Sequence, residues 1–103
     1  MPELAFHRSE KDEQRCVYHL LVKCGAVVYW VSQPRATMQS RGVPDLMAFH
    51  PLRGFAFIEV KSERGRMSTP QREFQHLCGE AGVVYLVGGV EEVRDWLGAK
   101  RAA

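Results

Sequence analysis

Apolar residues first recur along the chain at helical spacing: Cys16, Val17, Leu20, Leu21 and Cys24 share one face of a helix predicted over residues 9–23. Ser9 stands at its cap position, acidic Glu10, Asp12 and Glu13 fill the turn that the helix dipole favours for acids, and Gly25 is the expected stop. The pattern then changes. Residues 26–32 are β-branched and aromatic and read as a strand. Residues 33–44 hold two prolines and a glycine and read as a loop. Two more strands follow, 45–50 and 54–61, joined by Pro51, Leu52 and Arg53, a connection of hairpin length. After a polar loop over 62–67, Ser68 or Thr69 caps a second helix that runs to about Ala81. Pro70 sits in its first turn, where a missing N–H costs nothing, and Phe74, Leu77 and Cys78 form its expected buried stripe. Gly82 ends that helix, 83–87 is a strand, 90–97 a short helix, and Lys100 and Arg101 lie in a frayed tail.

The order is therefore helix, three strands, helix, strand, helix. The last strand pairs parallel to the third through a right-handed crossover, and the first three are mainly antiparallel. The expected class is α/β, a four-stranded mixed sheet flanked by helices. At 103 residues the chain fits one domain, residues 1–103 with a core over about 9–97, and is too short for two. Its longest apolar runs, 26–31 and 83–89, fall well below the roughly 20 residues that span a bilayer, and no secretory signal opens the sequence. A soluble, cytoplasmic protein with no membrane role is expected. Cys16, Cys24 and Cys78 are odd in number and lack zinc-ligand spacing, so reduced, buried thiols are expected.

The hairpin makes a geometric prediction. If His50 pairs with Gly54, the antiparallel register places Asp45 opposite Glu59, with side chains on one face. Lys61, two residues beyond Glu59, turns to that face too. Two carboxylates supply the hard oxygen ligands that Mg²⁺ takes, the main-chain carbonyl of Val60 can add another, and Mn²⁺ can substitute. A divalent cation acidifies water and offsets charge on a phosphate, and a lysine beside it can orient water or stabilise the transition state. The competing reading is a Glu59–Lys61 pair at a strand end with no chemistry; the addition of Asp45 turns the balance toward a hydrolytic centre.

Gly42-Val43-Pro44-Asp45 followed by Phe57-Ile58-Glu59-Val60-Lys61-Ser62 resembles the PD-(D/E)XK nuclease signature. More narrowly, Glu10 and Gln14 four apart on the first helix, the Glu59-Val60-Lys61-Ser62 strand and Ser68-Thr69-Pro70-Gln71 at the second helix start resemble the virus-type replication-repair nuclease (VRR-NUC) family, over about residues 9–93. The resemblance implies a restriction-endonuclease-like core, with Asp45 and Glu59 as metal ligands and Lys61 as the catalytic lysine. It also implies that Gln71 faces the site from the second helix and that Glu10 approaches from the first. Each of the last two has a structural alternative. For Glu10 the alternatives are Glu13 in that role, or service to the helix dipole alone; for Gln71 the alternative is a capping box with Ser68.

Net charge is only +2, but its distribution is uneven. Arg35, Arg41, Arg53, Arg64, Arg66 and Arg72 lie in or beside the middle loops, while Glu91, Glu92 and Asp95 gather near the C-terminus. A nucleic-acid surface on the basic side is expected, with Arg35, Arg41, Arg64, Arg66 and Arg72 on backbone phosphates. The resemblance implies DNA as substrate, branched DNA such as Holliday junctions in particular, and a phage setting in repair, recombination or packaging. Cutting two strands of a junction needs two active sites, hence a homodimer. The alternatives are a catalytically silent DNA-binding module, or a nicking or flap nuclease of other preference. His50 reads as a solvated turn residue, Trp30 and Trp96 as core, and Gly88-Gly89 lacks the pattern of a phosphate loop.

Overall fold

The computed structural model describes residues 8–31 and 42–98. Within them the chain forms α1 (Glu10–Lys23), β1 (Val27–Trp30), β2 (Leu46–His50), β3 (Gly54–Val60), α2 (Thr69–Ala81), β4 (Val84–Gly88) and α3 (Val90–Leu97). The order is the predicted one, with boundaries within one or two residues. Ser9 caps α1 by accepting from the Asp12 N–H at 3.1 Å. The sheet runs β1-β2-β3-β4, antiparallel except for the parallel β3–β4 pair. β3 lies between two strands, which is why its sequence is apolar on both faces.

Strand alternation sorts these side chains into two layers. Leu46 and Ala48 of β2 and Ile58 and Val60 of β3 meet Val17 and Leu21 of α1 and Val93 of α3, all fully buried. Each such large aliphatic side chain contributes about 1.5–3 kcal/mol through removal from water. The opposite face is covered more narrowly. There Phe74 of α2 packs edge-on against Phe57 at 5.2 Å and beside Tyr85 at 5.9 Å. An aromatic row continues from Phe57 through Phe55 and Phe49 to Tyr29, with ring centroids 4.9, 5.0 and 6.2 Å apart. Its outer members remain in solvent: Phe49 is 43% and Tyr29 53% exposed.

Four sequence expectations change here. Leu77, expected on the buried stripe of α2, is 63% exposed. It lies one residue, about 100° of helix rotation, from Cys78, and the stripe that meets the sheet is only as wide as Gln71, Phe74 and Cys78. Trp30 is not core: it sits on edge strand β1 and stacks on Tyr18 at 5.5 Å, half in solvent. Of the three free thiols only Cys78 is buried; Cys16 is half-buried and Cys24, the C-cap of α1, is exposed. His50 is a staple rather than a solvated turn residue. Its Nδ1 accepts from the Leu52 and Arg53 N–H groups at 3.1 and 3.3 Å, which leaves Nε2 as the donor to the Cys24 carbonyl at 3.0 Å. One ring thus shapes the hairpin turn and ties it to the end of α1. Trp96, as expected, packs against the core.

Candidate active site

The hairpin register is the predicted one. His50 pairs with Gly54, and the ladder runs to Leu46–Ile58, one position short of Asp45 and Glu59. At that point the side chain of Asp45 takes over from the backbone: its Oδ2 accepts the Val60 N–H at 2.8 Å. Glu59, at the buried end of β3, is only 2% exposed. Its Oε2 accepts from Gln71 Nε2 at 3.0 Å and lies 3.5 Å from Lys61 Nζ. Its Oε1 is buried with no hydrogen-bond partner. Burial raises the pKa of Glu59 to about 7, and the negative charge of Asp45 adds to the rise against the opposing pull of Lys61.

Both readings of Gln71 hold at once. Its Oε1 accepts the Ser68 N–H at 2.8 Å while its own N–H donates to Ser68 Oγ at 3.2 Å, which completes a capping box at the start of α2. Because the amide oxygen is committed to the cap, the amide nitrogen must be the atom aimed at Glu59. The helix start therefore fixes the direction of a site hydrogen bond.

Glu10 and Glu13 differ in their surroundings. Glu13 is held elsewhere: Oε2 accepts the Val90 N–H at 2.9 Å at the start of α3, and Oε1 accepts from Arg8 at 3.0 Å. Glu10 is the residue whose charge reaches Glu59 and raises it further. Among the described residues no group of three or more acidic, histidine or cysteine side chains is arranged to hold a metal ion. The contact between Glu13 and α3 also explains Gly88-Gly89, whose role sequence reasoning missed. A β-carbon at Gly89 would run into the Glu13 carboxylate, and one at Gly88 into that of Glu92, which accepts the Gly89 N–H at 2.8 Å. The glycines allow two carboxylates to cap a helix.

Lys61 leaves β3 with its N–H on the Gly88 carbonyl at 2.8 Å. It borders a cleft of about 670 Å³ lined also by Arg8, Ser62, Glu63 and Gly88. Arg64 and Arg66 are exposed on the loop that follows. Arg72 is engaged within the chain, donating to the Met67 carbonyl at 3.0 Å and to Thr69 Oγ1 at 3.4 Å, so it braces that loop against α2. Arg35 and Arg41 lie outside the described residues.

Gly42 sets the approach of α2 to the hairpin. Its φ is +81°, where an L side chain is strained, and a β-carbon there would overlap the Pro70 main-chain carbonyl. Gly42→Ala is expected to lower stability by about 1–3 kcal/mol and to displace the helix start that carries Gln71. Thermal melting checks the first effect, and loss of the Gln71–Glu59 contact in a crystal structure checks the second. An unchanged melting temperature would remove Gly42 from this role.

Asp45, Glu59 and Lys61 thus lie at the end of the sheet where β2 and β3 adjoin, within a four-stranded mixed sheet. The VRR-NUC domain profile matches residues 9–92. A solved structure described as a VRR_NUC domain shares the fold at a TM-score of 0.70 and 23% identity, over 90% of this chain and 98% of that one. No curated protein matches the chain. The chain belongs to the VRR-NUC domain family, a family of nucleases, and DNA is the substrate class that this membership implies. Among the described residues no helix is long and apolar enough to cross a membrane.

Proposed function

We propose that the chain is a Mg²⁺-dependent DNA endonuclease, active also with Mn²⁺, whose centre is built from Asp45, Glu59, the Val60 carbonyl and Lys61. The observation that carries this reading is the Glu59 carboxylate. One oxygen is saturated by Gln71 and Lys61, and the other is buried and bare beside a second acid. An anion in that setting is costly unless something outside the chain compensates it, and the hard oxygens of two carboxylates suit a divalent cation. When bound, the cation supplies Lewis acidity toward water and phosphate. Asp45 and Glu59 would hold it, and Gln71 keeps the Glu59 carboxylate from rotating. The Lys61 ammonium orients the attacking water and offsets the charge that grows on the phosphate oxygens. Water adds to phosphorus, the bond to the leaving sugar oxygen breaks, and that oxygen takes up a proton. Glu10 acts at longer range on the Glu59 charge. Arg64 and Arg66, exposed on the loop after β3, track phosphates in a salt-sensitive way.

Branched DNA is the proposed preference. The test is cleavage of linear duplex, flap, four-way junction and RNA side by side, with Mg²⁺, Mn²⁺ or EDTA. Cutting of the junction that requires metal is expected. A folded protein that binds DNA and cuts none of these with either metal would instead be a silent binding module, and preference for duplex or flap would overturn the junction assignment. Lys61→Ala is expected to lower cleavage about 10²–10³-fold while Mn²⁺ binding persists. Binding is best read at pH 8, because loss of the ammonium pushes Glu59 further up. Unchanged turnover would take Lys61 out of the mechanism.

A homodimer is proposed to supply two centres. Its support is the uncovered part of the α2 face, where the register rows Val27–Phe49–Phe55 and Tyr29–Met47–Phe57 carry no charge and Val27, Tyr29 and Phe49 are exposed. Opposed copies of such a face would take these exposed apolar side chains out of water. Phe49→Glu is expected to convert dimer to folded monomer in sedimentation. A wild type that sediments as a monomer would end the dimer proposal without touching the chemistry.

A further inference from the structure

Among the described residues, two buried side-chain polar atoms have no hydrogen-bond partner: Glu59 Oε1 and the Tyr85 hydroxyl. A cation accounts for the first and leaves the second unexplained. The two belong to one layer of the molecule. Tyr85 pairs with Phe57 in the parallel β3–β4 ladder, and Glu59 follows two residues along the same strand, so both side chains rise from the same face. That face is roofed by α2, whose Phe74 packs on Phe57 and Tyr85 and whose Gln71, one turn earlier, holds Glu59. Desolvation, and then the charges of Glu59, Cys78 and Asp45, push the phenol pKa up, so the hydroxyl keeps its proton and is a donor. Leaving a buried hydroxyl unsatisfied is unfavourable, and a site this close to two acids offers it acceptors.

We propose that Tyr85 is a positioning residue for the cation site, its hydroxyl donating through one ordered water to the Glu59 carboxylate and fixing the direction of Oε1. The inference rests on the nuclease reading above, since it gives Glu59 a cation to meet. Outer partners of this kind commonly change metal affinity by about 10–100-fold.

The experiment compares the full-length wild type with Tyr85→Phe and with Phe74→Leu as a packing control. It measures melting in EDTA, Mn²⁺ affinity by calorimetry, and cleavage against Mn²⁺ concentration. Tyr85→Phe keeps the ring and is expected to melt close to wild type in EDTA, because it removes a single water-mediated hydrogen bond and leaves the packing intact. It should bind Mn²⁺ about tenfold more weakly, with cleavage recovering as Mn²⁺ is raised. Phe74→Leu should do the reverse, melting lower with nearly wild-type affinity. Wild-type Mn²⁺ affinity in Tyr85→Phe overturns the inference, as does a lower melting temperature in EDTA, which would mark a purely structural hydroxyl. In either case a wild type that binds Mn²⁺ and cuts DNA leaves the nuclease reading standing; a wild type that does neither removes both.

Discussion

Glu59→Gln is expected to abolish metal-dependent cleavage and, at pH 8, to raise the melting temperature of the metal-free protein. The two effects share a cause. Glu59 is 2% exposed and its pKa is raised to about 7, against an unfolded value near 4.5. A carboxylate raised in the folded state binds its proton more tightly there than in the unfolded chain. Its favourable contribution is whole below about pH 4.5 and is lost as pH climbs through 7. The difference of about 2.5 units amounts to roughly 3 kcal/mol, reduced in the variant by what Lys61 loses when its partner becomes neutral. Glutamine keeps an oxygen for the Gln71 N–H and carries no charge, so the gain belongs to high pH alone. At pH 4 wild type and variant should melt alike. At pH 8 a gap of several degrees is expected for a chain of this size, and Mg²⁺ or Mn²⁺ should close it by stabilising only the wild type. Cleavage should fall at least about a thousandfold, the several kcal/mol that such an ion contributes. Equal melting at pH 8 would mean that Glu59 bears no buried charge, and retained cleavage would mean that it holds no metal.

The approach of Asp45 to Glu59 was legible because a hairpin turns sequence into distance. Three residues between two strands set His50 against Gly54, and that pair alone determines which residues adjoin at the far end. The helices were legible for a similar reason, since Ser9, Ser68 and Gly82 act within one turn of where they stand. What escaped depends on contacts between distant segments. Nothing local to Gly88-Gly89 reports that the Glu13 carboxylate arrives beside them, at the Val90 N–H, from 77 residues away. The same holds for His50, whose ring reaches back to the Cys24 carbonyl. Leu77 and Trp30 were misread because periodicity shows which residues share a face and is silent on how much of that face a neighbour covers. Tyr85 gave no signal at all, as its apolar neighbours in β4 make it an ordinary core aromatic until the phenol is seen to lack a partner.

Asp45 separates the structural and chemical demands on the site, because each can be removed without the other. The β2–β3 ladder ends at Leu46–Ile58, and the Val60 N–H finds its acceptor in Asp45 Oδ2 at 2.8 Å. Val60 is fully buried, so an amide deprived of that acceptor costs about 1–3 kcal/mol. Asp45→Ala is therefore expected to lose both cleavage and stability, melting roughly 5–15 °C lower in EDTA. Asp45→Asn keeps an amide oxygen for Val60 and removes only the charge. It should melt close to wild type and still fail to cut, with Mn²⁺ binding weakened in calorimetry. Loss of the negative charge should also bring Glu59 back toward its ordinary range, since Asp45 is the largest cause of the shift after burial, so the variant should destabilise less between pH 5 and 8 than wild type. If alanine and asparagine melt alike, the carboxylate does not serve the backbone. If asparagine cuts as wild type does, no cation is held by the charge at this position, and the two-acid centre is wrong.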